Sequence, residues 1–208
     1  MLAITVSTKY DDILNIIIPQ NYKFFEKWYI ITSPDDMKTI KVINDYNYDN
    51  IIIVYYDFYK NNKIFNKGGA IKECQKNIGD SNYNGNVLLL DSDIYLPDNF
   101  NEIINCIKIE DNTLYGTESR FDFYSYENFK NNIIDNNYPW AQEYQGYFQL
   151  YKFNKNFLYN ESNNCSGCDL QFIKYFNKKK IINNMKVSHF GKNCVNWNTR
   201  KNHDDFIM

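Results

Sequence analysis

Short apolar runs alternate with polar, helix-compatible stretches through the first half of the chain. Leu2–Val6, 28–32, Ile51–Tyr55 and 87–90 have the length and β-branched content of strands. Between them lie stretches 11–17, 35–44 and 69–78, which suit helices. This β-then-α alternation predicts an α/β fold with a mainly parallel central sheet flanked by helices. Pro34 after Ser33, with Asp35 and Asp36 next, is the chemistry of a strand-to-helix turn closed by a carboxylate cap.

Beyond Pro97 the pattern loosens. Residues 99–109 read as a helix and 113–116 as a strand, while 120–144 is aromatic and Asn-rich without a clean period and is expected to be loop. A strand at 147–153, a helix at 167–176 and a strand at 185–190 follow, and 192–208 reads as an extended polar tail. No internal repeat or flexible linker divides the chain, so one domain with two functional halves is expected.

Composition sharpens this picture by exclusion. In 208 residues, 44% hydrophobic and 23% charged, there is enough apolar surface for a substantial core without disulfide or metal staples. The net charge of −2 lacks the basic excess of a dedicated nucleic-acid or membrane-surface binder. Asn (33), Ile (26), Lys (21) and Tyr (19) dominate while Arg occurs twice, the signature of AT-rich codons, so surface Asn carries little functional message. The five cysteines, at 74, 106, 165, 168 and 194, are an odd number, and the chain enters a strand pattern directly, without a secretory signal. Its longest apolar runs are too short to cross a bilayer, so a soluble, cytoplasmic protein with reduced thiols and no transmembrane segment is expected.

The strongest local signal is Val87-Leu88-Leu89-Leu90-Asp91-Ser92-Asp93. Four apolar residues suit a strand buried on both faces, and the carboxyl edge of such a strand is where open α/β sheets bind ligands. In extended chain Asp91 and Asp93 would point the same way, about 6 to 7 Å apart by the strand rise. Two carboxylates sharing a cleft need a compensating cation, and a divalent ion that also meets phosphate is the natural one. The competing reading is a plain strand-ending turn toward Pro97. Upstream, Asn66-Lys67-Gly68-Gly69-Ala70 opens a helix, and adjacent glycines with a lysine form either an anion cradle or a tight turn.

These blocks resemble, in order and spacing, the motifs of GT-A glycosyltransferases similar to family 2. Phe65 to Ile71 resembles the NKGxA segment and Leu90 to Pro97 the LDxDxxLP segment with its DxD. Gly146 to Tyr151 is similar to the strand under the acceptor site, and Cys168-Asp169-Leu170-Gln171-Phe172 to the acidic acceptor-side motif. Val187-Ser188-His189-Phe190-Gly191 with Asn196, Trp197 and Arg200 resembles the HxG...NWxxR ending. The resemblance implies a single GT-A (Rossmann-like) domain, with a nucleotide-sugar-binding half at 1–98 and an acceptor-binding half at 99–208. It further implies transfer of a sugar from a nucleoside-diphosphate donor, UDP foremost, to a glycan or other hydroxyl acceptor. By carry-over, Asp91 and Ser92 would meet the nucleotide, Asp91 and Asp93 a divalent metal, and Lys67 and Gly68 the diphosphate. Asp57 would meet base or ribose, Thr5 would be a weaker donor contact, and Gly146 and Tyr147 would lie on the acceptor side.

His189 ends a strand and is either a structurally satisfied strand-end histidine or a metal ligand, whose imidazole beside carboxylates would favour Mn over Mg, which prefers oxygen and water. Asp169 lies on the edge of the stripe Phe172, Ile173, Phe176, placed to act as the base of an inverting transfer. The alternative is a capping box of Ser166 and Asp169 serving only the helix terminus. Trp140 is expected to stack on an acceptor sugar or to pack, Trp28 to be core, and Arg200 to meet phosphate from a tail folded over the donor site. Two other readings compete: a structural zinc site of Cys165, Cys168, His189 and Cys194, and an inactive domain that binds nucleotide sugar or glycan. A nucleotidyltransferase would carry glycine after the first strand, where this chain has Ser7-Thr8-Lys9-Tyr10-Asp11.

Overall fold

Strands β1 (Leu2–Val6), β2 (Lys27–Thr32), β3 (Ile51–Tyr55) and β4 (Asn86–Leu90) form where the apolar runs predict them. In this computed structural model, which describes residues 1–139, 146–192, 200–201 and 203–208, they pair in parallel in the order β3-β2-β1-β4. Helices α1 (Asp11–Asn21), α2 (Met37–Tyr46) and α3 (Lys67–Asp80) are the crossovers. Asp36 caps α2 as expected, its side chain accepting from the Thr39 N–H.

Alternation along β4 divides the core between the sheet's faces, because successive side chains of a strand point to opposite sides. Leu88 and Leu90 join Ile13, Leu14, Ile17 and Ile18 of α1 and Ile43 of α2. Val87 and Leu89 pack instead with Ile71, Cys74 and Ile78 of α3 and with Phe172 of α6 (Cys168–Ile173). Trp28 is fully buried, as the core reading predicts.

The second half extends the same sheet. After β5 (Ile94–Tyr95) and α4 (Phe100–Asn105) come β6 (Thr113–Phe123), α5 (Tyr126–Lys130), β7 (Asn136–Pro139), β8 (Phe148–Lys152) and β9 (Lys178–Phe190). The nine-stranded sheet runs β3-β2-β1-β4-β8-β6-β9-β5, with β7 on β6. The junctions of β8 with β4 and β6, of β5 with β9 and of β7 with β6 are antiparallel, whereas β6 and β9 run parallel. The expected loop 120–144 differs from this arrangement: it holds the end of β6, all of α5 and β7. Both β6 and β9 are also longer than their apolar stretches, because they are ladder partners over most of their lengths, with a register shift between Thr117 and Ser119. Ladder hydrogen bonds stabilise polar segments that no hydrophobic period marks.

Candidate active site at the carboxyl edge of the central strands

The chain leaves β1 toward β2 and returns on β1's other side as β4, so a topological switch point falls between β1 and β4. Leu90 ends β4, and a turn follows at once. The Asp91 N–H donates to the Tyr147 carbonyl at 3.1 Å, and the Ile94 N–H to the Asp91 carbonyl at 3.4 Å. This turn replaces the extended geometry expected for residues 91–93 and gives the two carboxylates different partners. Lys67, at the start of α3, donates from Nζ to Asp91 Oδ1 at 2.6 Å, while His189 Nε2 lies 3.5 Å from Asp93 Oδ2. Backbone fixes the second pair, because Ile94 sits opposite His189 in the β5–β9 ladder and the Phe190 N–H donates to the Asp93 carbonyl at 2.8 Å.

Burial works against charge on Lys67, but the touching Asp91 carboxylate outweighs it and holds the ammonium protonated. Asp91 is raised by burial, against the pull of Lys67 and with a push from Asp93, so the two acids of the motif share one field. Burial alone would raise Asp93 too, yet His189, with Arg120 and Lys67 beyond it, holds that carboxyl below its ordinary value. His189 is opposed by burial and carried up to about 9 by Asp93 and Asp122. The remaining oxygen of Asp93, Oδ1, is buried with no hydrogen-bond partner among the described residues.

Asp122 and Arg120 carry no signal in the sequence reading, and both belong to this cluster. Asp122 is fully buried; it faces His189 Nδ1 at 2.9 Å and accepts from Arg120 Nε at 2.9 Å. The Arg120 guanidinium lies 4.9 Å from the ring centres of both Tyr138 and Tyr147. One compositional clue existed: in a chain with 21 Lys and two Arg, arginine stands where a rigid planar fork is needed.

Other expected residues are placed as follows. Asp169 Oδ2 accepts from the Gly146 N–H at 3.0 Å and Oδ1 from the Leu170 N–H at 3.0 Å. The N-cap of α6 is Gly167 without a side-chain cap, so the Ser166/Asp169 capping box does not form. Asp169 also acts on Asp91 electrostatically, which puts this carboxylate within the field of the motif. Tyr147 exchanges a hydrogen bond with Thr117 at 2.8 Å, Ser92 is buried in the turn, and Trp140 lies outside the described residues.

Three residues expected on the donor side are held by other parts of the chain. The Gly68 N–H donates to Ser162 Oγ at 3.2 Å, and a Cβ there would sit 1.9 Å from the Asn160 carbonyl oxygen. The Gly69 N–H donates to the cap residue Asn66, so these glycines serve close packing and capping, and Lys67 is what the segment presents to the site. Thr5 is buried, its hydroxyl accepting from Trp28 Nε1 at 2.9 Å. Arg200 is fully buried: its donors reach Asp12, Asp205 and the Lys9 carbonyl, and it stacks on Tyr10, so it ties the tail to the β1–α1 loop instead of pointing at phosphate. Tyr10, unremarked in the sequence, links these regions. Burial and the charges of Asp93 and Asp91 push its phenol well up.

A cavity of about 650 Å³ opens between the carboxyl ends of β1 and β2, lined by Thr8, Lys9, Ser33, Asp36, Tyr59 and His203 among others. Asp57 is exposed at the end of β3, its Oδ1 accepting from the Tyr59 N–H at 3.0 Å. Among the described residues the zinc set does not assemble. Cys168 Sγ points to the Cys165 carbonyl at 3.3 Å, His189 is held between two carboxylates, and Cys194 lies outside the described residues. Among the described residues, the three metal-binding side chains whose ligand atoms lie within 4.8 Å of one another are Asp11, Asp12 and His203, not Asp91, Asp93 and His189.

No protein-family model matches the sequence, and no curated protein matches it. Solved structures do. A 4-diphosphocytidyl-2C-methyl-D-erythritol synthase is similar over 86% of this chain and 87% of its own, with a TM-score of 0.53 at 10% identity. The galactosyltransferase LgtC, solved with donor and acceptor sugar analogues, covers 87% of this chain and 73% of its own, with a TM-score of 0.49 at 13% identity. At 10% identity the first likeness shows the fold alone, a Rossmann-like α/β domain with a mainly parallel sheet flanked by helices. Among the described residues no helix is long and apolar enough to cross a membrane.

Proposed function

We propose that the protein transfers a sugar from a nucleoside-diphosphate sugar, with UDP as the expected nucleotide, to a hydroxyl group of a glycan or other acceptor. The observation that carries this reading is the pairing at the switch point: Asp93, with a buried unpartnered oxygen, beside His189, and Asp91 beside the cationic Lys67. A carboxylate oxygen from the turn after β4 and an imidazole nitrogen from β9 fit a divalent ion, and that donor set favours Mn, with Mg the alternative. Asp91 would join Asp93 and His189 once Lys67 turns to the diphosphate. Bound there, the ion would neutralise charge on the departing diphosphate.

Lys67 supplies a point charge for the same phosphates at the N-terminus of a 14-residue helix. The cavity has the size of a nucleoside site, with Tyr59 in its wall and the exposed Asp57 hydrogen-bonded to the Tyr59 N–H. Asp169, its orientation set by two backbone N–H groups, acts as base toward the acceptor hydroxyl in an inverting reaction, with Gly146 and Tyr147 on the acceptor side. Arg200 ties the tail to α1 through Asp12.

Thermal denaturation against nucleoside diphosphates and nucleotide sugars, each with Mn2+, Mg2+ or chelator, tests the reading. A ligand bound by the folded state alone raises its stability by about 2.7 kcal/mol at a hundredfold excess over Kd. A uridine nucleotide should raise the midpoint with Mn2+, and both chelator and Asp93→Ala should remove the shift. Absence of any nucleotide shift overturns the reading; a shift without turnover of any sugar donor leaves the inactive binding domain in its place.

A further inference from the structure

The candidate site uses Asp93 and His189, but the charged cluster around them extends to two residues that the proposed chemistry leaves without a role. Asp122 and His189 face each other across the parallel β6–β9 ladder, and Arg120 lies two residues earlier on the same face of β6. Asp122 has no exposed surface, and Arg120 is 4% exposed. A carboxylate buried this deeply persists only where its partners compensate the loss of water. Those partners are Arg120, through Nε at 2.9 Å and a longer second contact at 3.4 Å, and His189 Nδ1 at 2.9 Å. The guanidinium is held in turn between the rings of Tyr138 and Tyr147.

An ionised carboxylate only accepts hydrogen bonds, so the Asp122 contact places a proton on His189 Nδ1. In the neutral ring the lone pair then lies on Nε2, the nitrogen that faces Asp93 at 3.5 Å. Without Asp122 the ring is free to take the opposite tautomer, and Nε2 would offer a hydrogen where a ligand atom is needed. We propose that Asp122, clamped by Arg120, is a positioning residue that fixes the His189 tautomer and ring orientation so that Nε2 and Asp93 together receive a divalent cation. The inference rests on the proposed metal site, and its test is chosen to separate the two.

With only two histidines in the chain, His189 and His203, the imidazole resonances are assigned by one His203→Gln variant. Long-range 1H–15N correlation spectra of the metal-free protein at alkaline pH, with the ring neutral, should show His189 as the Nδ1–H tautomer. An Nε2–H tautomer in the wild-type chain overturns the proposal, whether or not any metal binds. Asp122→Asn should move His189 out of the pure Nδ1–H form and weaken binding of Mn2+ alone, followed by electron paramagnetic resonance, by about 10- to 100-fold, the usual effect of losing an outer-shell partner. Unchanged Mn2+ affinity in a folded Asp122→Asn chain overturns it. Because that variant strips Arg120 of its counter-charge, Arg120→Gln/Asp122→Asn, which removes both charges, is measured beside it with the same expectation. A wild-type chain with the Nδ1–H tautomer but no Mn2+ binding would sink the metal site and with it the role of Nε2 as a ligand.

Discussion

At the scale of single residues, the site depends on short contacts whose removal has distinct signatures. Asp169 is held by the Gly146 N–H, and a Cβ on Gly146 would stand 2.6 Å from Asp169 Oδ2 and 2.8 Å from its Cβ. Gly146→Ala must therefore push the carboxylate aside. A displacement of about 1 Å at a reacting group costs on the order of 100-fold. Transfer in Gly146→Ala should fall by about that factor with donor affinity unchanged, while Asp169→Asn, which removes the proposed base, should lose roughly 10²- to 10⁴-fold. Donor binding and initial rates measured on both variants check the pair; near wild-type turnover in Asp169→Asn would return that residue to a structural role. The sequence reached Asp169, Asp91, Asp93, Lys67 and His189 because each sits in a motif. It missed Asp122, Arg120 and Tyr10 because a residue whose work is to hold another across a ladder has no local pattern to announce it.

Elements place these residues, and their packing sets the chemistry of the cysteines. Cys74 on α3 and Cys168 on α6 are buried against the same face of the sheet, and burial pushes each thiol up to about 12. Because the folded values lie above the ordinary one, both groups stay neutral thiols until strongly alkaline pH, and only the thiolate reacts. Iodoacetamide at mildly alkaline pH should label exposed Cys106 and leave Cys74 and Cys168 unmodified until denaturant is added. Rapid labelling of Cys168 in the native protein, or its protection lost on adding a zinc chelator, would contradict this packing of α6. The apolar runs identified β1 to β4 nearly to the residue. Helix α6 and strand β9 were legible in place but not in extent: the expected helix 167–176 is Cys168–Ile173, and the expected strand 185–190 begins at Lys178. The exposed lysines and asparagines of β9 show no alternation, and their strand conformation comes from pairing with β6.

Across the whole molecule, the second half of the chain supplies what the first half lacks. His189 arrives from β9, Asp122 from β6 and Asp169 from α6, all against a turn that follows β4. The tail is fastened from the other direction, since Arg200 reaches Asp12 and the Lys9 carbonyl from near the end of the chain. Arg200→Ala leaves Asp12 and Asp205 without their common cation in a buried setting, a change that typically costs about 3 to 5 kcal/mol. Denaturant unfolding should show a loss of that order, while donor affinity of the folded protein changes little; a selective loss of diphosphate binding at unchanged stability would restore the phosphate role.

Periodicity and turn chemistry by themselves determined the α/β class, the four parallel strands and the edge at which the acidic motif must lie, because runs of buried residues and caps are local properties of a chain. They could not determine that residues 91–93 turn instead of extending, that Gly68 and Gly69 are used up in packing, or that both arginines are buried among carboxylates and tyrosines. Those outcomes depend on which distant segments supply donors, acceptors and counter-charges. Tertiary pairing decides that, because a buried polar group is stable only where another part of the chain satisfies it.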